Sequence, residues 1–370
     1  MRRDFLLASW LFGFANSLSA PLLGLYIYVN SSVEETLRFL LASSAFILAG
    51  YVAVGYLAAL RNNAATYIKL GIGLYIAFYS LLLTLGARVV EVLPLVAALY
   101  GLAQGFYWCG WDVVFYHVPD KLRFFNKSFY LGLATNFASP AIYGAVLSAL
   151  RGAGYGVLFL ATSALLALAL LLMEDVRISA RVDVRSAVLV VKDDGRYRAT
   201  MTALTLVGGA NYVLGSLNAI LLYQATGSYR GFALTNYALT AASAASVFAL
   251  RDRLVHKIGP RRLVAASAAA LLASGASLPL GLPLIYLVAY YVTSPLIYPV
   301  IDVYNWDAMD ESRLMDYLIN RQIMLNGGRI LFSLSEALLA GSAGVGAALG
   351  LPLIFAASLI FSRGGPSKAR

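Results

Sequence analysis

Glu174–Arg198, EDVRISARVDVRSAVLVVKDDGRYR, carries 11 charged side chains in 25 residues, in a chain where only 12% of residues are charged. On either side of it the sequence runs in long apolar stretches. The two flanks resemble each other. With a shift of 190 positions, Leu60-Arg61 falls on Leu250-Arg251, Asp112 on Asp302, Asp120 on Asp310, Arg123 on Arg313 and Asn136 on Asn326, with no gap required. The charged stretch therefore reads as a linker between two copies of one unit, which divides the chain into an N-terminal bundle (1–173), a linker (174–198) and a C-terminal bundle (199–370).

The 370 residues are 60% hydrophobic, more apolar side chain than a water-soluble core can enclose. A bilayer can take up the surplus. About 20 apolar residues in a helix span the hydrocarbon while satisfying their own backbone hydrogen bonds. Twelve segments meet that length approximately: 5–29, 39–60, 67–87, 92–118, 129–150, 154–173, 199–225, 231–250, 263–280, 283–303, 318–341 and 345–361. The expected fold class is an all-α integral membrane protein, with twelve transmembrane helices in two pseudo-symmetric six-helix bundles. The start, Met1-Arg2-Arg3 with Ser17-Leu18-Ser19-Ala20 beyond, has the look of a cleavable leader, but Pro21 opposes cleavage and the apolar run continues to Val29.

A formal charge of +10 would suit nucleic acid, yet the cations lie in short connectors and form no continuous face. Topology explains them better. With both termini cytoplasmic, 23 of the 28 cationic residues fall inside, Arg38, Arg88, Arg151 and Arg230 fall outside, and Arg329 lies within a span. Two six-span halves that both begin inside are parallel repeats about an axis along the membrane normal. The single cysteine, Cys109, allows no disulfide framework, and with the two histidines it offers no metal cluster. There is no phosphate-cradling loop, so no ATP motor and no cofactor are expected.

The connector from Leu250 to Arg262 sets Asp252-Arg253, Gly259-Pro260 and Arg261-Arg262 between two spans. Here the chain resembles the major facilitator superfamily, whose members carry a Gly-x-x-x-Asp-Arg-x-Gly-Arg-Arg signature between spans two and three and often again between eight and nine. The first copy, from Arg61 to Lys69, lacks the aspartate and glycine. In span five, Gly132 and Ser139-Pro140-Ala141-Ile142-Tyr143-Gly144 resemble the family's Gly-Pro-x-x-Gly-Gly pattern of proton-coupled exporters, with two glycines replaced; a kink at Pro140 and close packing at Gly144 would explain the same residues.

The resemblance implies that spans one, four, seven and ten line a substrate cavity, which points to Asn16, Gln104, Trp108, Trp111, Asn211, Asn218 and Tyr298. It also implies a cytoplasmic gate of Arg61, Asp112, Arg123, Asp252, Arg253, Arg261, Arg262, Asp302 and Arg313. Asp112 and Asp302 each precede an arginine by 11 residues, so a fold-back ion pair with Arg123 and Arg313 is expected. Arg329 and Glu336, seven apart on one helix, are the candidates for ion coupling. Glu336 would carry a proton assisted by Arg329, or the two would simply pair, with Asp302 as the other possible partner of the guanidinium.

The expected protein is thus a monomeric, multi-pass secondary transporter in the cell membrane, embedded in lipid and moving a small organic solute without enzymatic chemistry. Export of a lipophilic or aromatic compound against protons fits the aromatic residues; proton-driven uptake of a sugar-like or nucleoside-like solute is the alternative. Rivals are a lipid enzyme built on His117 with Asp120 or His256 with Asp252, and a transporter-shaped sensor without flux.

Overall fold

A computed structural model describes residues 3–58, 63–116, 121–175 and 184–363. Its helices are α1 (Arg3–Asn30), α2 (Val33–Ala58), α3 (Ala64–Leu85), α4 (Leu93–Tyr116), α5 (Lys121–Leu150), α6 (Ala153–Leu172), α7 (Val184–Asp193), α8 (Gly195–Thr226), α9 (Tyr229–Ser246), α10 (Asp252–Ile258), α11 (Pro260–Ser274), α12 (Pro283–Trp306), α13 (Leu314–Leu339) and α14 (Ala343–Arg363). Each of the twelve apolar segments overlaps one of these helices, the segment 263–280 only in part, since α11 has 15 residues and ends at Ser274. Among the described residues eight stretches are long and apolar enough to cross a bilayer, and one of them, Ala64–Val114, runs through both α3 and α4. The protein is therefore an all-helical multi-pass membrane protein. The helix α1 runs unbroken through Pro21.

Local chemistry sets the ends. Asn63 caps α3 by accepting from the Ala65 N–H at 3.1 Å, Ser228 takes the Gly231 N–H at 3.1 Å, and Ser342 takes the Val345 N–H at 3.3 Å. Gly259 (φ 81°) and Gly281 (φ 71°) adopt backbone conformations that side chains disfavour, just before Pro260 and Pro283 open α11 and α12.

Two local expectations change. The segment 231–250 is not a regular helix to its end: α9 stops at Ser246, a π-helical turn spans Val247–Arg251, and the connector continues helically as α10. The segment 174–198 is also not all connector. It holds α7, and α8 begins at Gly195, where Asp194 caps it by accepting from the N–H groups of Arg196 and Tyr197.

The chain divides into two compact units, Met1–Val184 with Thr226–Tyr237, and Arg185–Ala225 with Ala238–Arg370. In the first, small residues let backbones approach: Gly105 lies against Gly50, and Gly101 against the Ser43 carbonyl and Phe46. A ring cluster of Phe12, Tyr75, Phe78, Tyr79, Tyr100 and Phe159 fills the interior. In the second, Gly209 and Gly328 bring α8 and α13 together. Hydroxyls return to their own helix, as buried Ser43 does to Phe39 O (2.6 Å) and half-buried Thr205 to Met201 O (2.8 Å), so these polar residues cost little inside apolar helices.

Candidate functional site

In the first unit, Gln104, Trp108 and Trp111 are spaced i, i+4 and i+7 on α4 and so share one face. Trp108 stays 37% exposed, large for a tryptophan within a helical bundle. It meets Phe12 edge-on at 6.0 Å and Trp111 at 5.7 Å, while Trp111 donates to the Ser9 hydroxyl at 3.2 Å. Phe12 in turn stacks on Tyr107. The Nε2 of Gln104 and the Nε1 of Trp10 are buried with no hydrogen-bond partner among the described residues. The Asn16 side chain is engaged by Tyr75. Nearby, Ser19 bonds Tyr79 at 2.5 Å and Ser17 bonds Ser139 at 2.6 Å, tying α1 to α3 and α5.

Next to Trp111 on α4, Asp112 is 9% exposed and its Oδ2 accepts from the Tyr51 hydroxyl at 3.3 Å. Arg61 lies outside the described residues, as do the side chains of Arg123 and Asp252, along with His117 and Asp120. Arg253 and Arg262 are exposed and Arg261 is half-buried.

In the second unit the expected fold-back pair does not form. Asp302 pairs with Arg321 Nη2 at 2.7 Å, and the same guanidinium lies 5.1 Å from the Trp306 ring. Arg313 instead reaches Asp316 at 3.3 Å and donates to the Ser186 hydroxyl of α7 at 3.3 Å, while Ser186 donates to Asp316 at 2.7 Å. The reason is geometric. Asp302 sits a turn inside the end of α12, so its partner must come from inside α13, whereas Arg313 precedes that helix. In the loop between them, Asp310 accepts from the Ser312 N–H (2.9 Å) and hydroxyl (2.8 Å), which holds its carboxyl below the usual carboxylate range.

The Arg329–Glu336 pair is likewise not formed. Seven residues share a face but stand about 10 Å apart along the axis. Arg329 bonds Asn326 Oδ1 at 3.1 Å and lies 5.0 Å from the Tyr212 ring. Glu336 is 0% exposed, and neither of its oxygens has a partner among the described residues. Its carboxyl occupies a notch at Gly346, where an added Cβ would stand 2.5 Å from Oε2 and 2.7 Å from Leu217 Cδ1. A charged carboxylate so placed lacks every donor it needs; the arrangement suits the neutral acid.

Asn218, 2% exposed, accepts from the Tyr286 hydroxyl at 2.9 Å, and its Nδ2 has no partner among the described residues. Asn211 accepts from Tyr290 at 3.2 Å. Tyr298 is half-buried against Gly208. Sequence reasoning missed Arg321, Tyr286 and Gly346. Arg321 could have been found as a guanidinium two turns into an apolar helix; Gly346 gave no signal.

No family model matches the chain. It is 29% identical over 175 residues, 45% of its length, to an uncharacterized protein in the sodM 3' region of Geobacillus stearothermophilus, covering 80% of that protein. It is 26% identical over 320 residues to the uncharacterized protein YqgE of Bacillus subtilis (strain 168), covering 78% of this chain and 73% of that one. Among solved structures it is similar to an auto-inhibited POT family peptide transporter (TM-score 0.71, 13% identity, 99% and 98% of the two chains) and to the nucleoside transporter NupG (0.68, 13%, 98% and 99%). A D-xylose-proton symporter is similar too (0.66, 14%, 98% and 97%). The likeness runs over essentially the whole chain, and the fold is the one these solved transporters share.

Proposed function

We propose that the protein is a secondary transporter that moves a small organic solute by alternating access and couples that movement to protons through Glu336. The observation that carries the reading is the Glu336 carboxyl, wholly buried, without a donor, and seated in a notch made by Gly346. A structural acid would have its hydrogen bonds made; one that must gain and lose a proton during a cycle is held apart from fixed partners. Arg329, taken up by Asn326 and Tyr212, then positions α13 and does not neutralise the acid.

The transporters of this fold named above carry peptides, nucleosides and D-xylose, so the fold does not select the solute. The tryptophan face of α4 supports an aromatic or lipophilic solute, with Gln104 Nε2 donating to an acceptor on it. That unpartnered amide equally favours a second reading, uptake of a nucleoside-like or sugar-like solute. The moving bodies would be 1–173 and 199–370, joined by 174–198, in the cell membrane with both termini cytoplasmic.

The test is flux in proteoliposomes across an imposed pH gradient, with labelled nucleosides, sugars and ring-bearing amphiphiles as probes. Flux that collapses with a protonophore in the wild type and loses its gradient dependence in Glu336→Gln supports the reading. Protonophore-sensitive flux that survives Glu336→Gln unchanged removes the residue from coupling.

A further inference from the structure

Within the first unit, the outer part of α5 and the first turns of α9 enclose a groove of about 640 Å³. Its walls are small and apolar: Ala141, Ala145 and Ala149 on α5, and Ala233 and Leu234 on α9. Gly144 forms the floor, where an added methyl would overlap Ala233. The ring pair Phe137–Tyr237 at 5.9 Å and a hydrogen bond from Asn236 to the Tyr143 hydroxyl hold the two helices together. Leu234 is 63% and Tyr237 44% exposed, so the groove opens away from the interior, on helices that lie in the bilayer.

One end of the groove is cationic. Arg230 lines it, and Arg151 follows two residues after Ala149, the last residue of α5 that lines it. Both arginines are exposed, and neither has an anionic partner among the described residues. They are two of only four cations that the charge distribution assigns to the outer side. Arg230 lies seven residues from Tyr237, so the apolar channel runs about 10 Å inward from the charge. An apolar trough of that length ending in two guanidinium groups matches an amphiphile with an anionic head.

We propose that this groove binds one anionic phospholipid, its phosphate held by Arg151 and Arg230 and one acyl chain lying over Gly144 between α5 and α9. The groove shares no residue with the notch that holds Glu336.

The test is the thermal unfolding midpoint of the full chain in detergent, titrated with long-chain phosphatidylglycerol or long-chain phosphatidylcholine. Phosphatidylglycerol is expected to raise the midpoint by a few degrees and phosphatidylcholine not to. The exposed double variant Arg151→Gln/Arg230→Gln should keep the wild-type midpoint in phosphatidylcholine and lose the rise. Ala145→Phe, which fills the trough, should lose it as well; if that variant does not fold, the arginine pair carries the test. An equal rise in the double variant, or a full rise from short-chain phosphatidylglycerol or inorganic phosphate, would overturn the proposal, as would an equal rise with phosphatidylcholine.

Discussion

The room for the Glu336 side chain comes from a glycine on another helix. Because Gly346 has no Cβ, the carboxyl fits against α14; Gly346→Ala puts a methyl into Oε2 and Leu217 and is expected to cost about 1–3 kcal/mol, read as a lower unfolding midpoint. Shortening the acid in the same background, Glu336→Asp, should recover part of that loss; no recovery would mean that Leu217 alone carries the clash. Asp302 and Arg321 make a second residue-scale case. Arg321→Met strands a carboxylate that is 24% exposed at its side chain, for a loss of up to about 3 kcal/mol, the low end for buried pairs. Adding Asp302→Asn should return most of it. Sequence located both acids, since charge inside an apolar run is conspicuous. It did not locate their surroundings: Arg321 is 19 positions from Asp302 across a loop, and Gly346 belongs to the next helix, so neither relation leaves a trace in spacing.

At the scale of the element, the linker helix α7 deserves the same treatment as the spans. It buries Ala187 and Val190, three apart on one face, and reaches the start of α13 through Ser186, Asp316 and Arg313. That periodicity was present in the sequence, but the density of charge around it reads as a solvated connector. Ser186→Ala is expected to cost about 1 kcal/mol and to make the linker more readily cut by trypsin in the folded protein. Unchanged proteolysis would show that α7 is held by its apolar face alone. Between α2 and α4 the contact is tighter. Gly105→Val would drive a branched side chain into Gly50 and the Ile47 carbonyl, and a backbone contact cannot yield as a side-chain tip can. Loss of folded protein in detergent chromatography is the expected result; a normal monodisperse peak would contradict the packing described.

At the scale of the whole molecule, the helix content and the positions of the long helices were legible because apolar length and Gly-Pro turns are local signals. The ends were less so. The π-helical turn at Val247–Arg251 and the end of α11 at Ser274 fall inside apolar runs, which carry no local signal for either. The internal repeat pointed to paired acids at related helix ends; Asp302 pairs with Arg321, whereas position 131, which corresponds to 321, is leucine. Glu336 stands opposite Val146 in the repeat, so a single coupling acid, in the second copy only, is what the account requires.

The most direct measurement follows protons and solute together, in vesicles holding the purified chain, a pH-sensitive dye and a labelled solute that the wild type moves. The account predicts that adding solute shifts the internal pH in the wild type, and that Glu336→Gln abolishes the shift while still exchanging labelled for unlabelled solute. A pH shift of wild-type size in Glu336→Gln would contradict it.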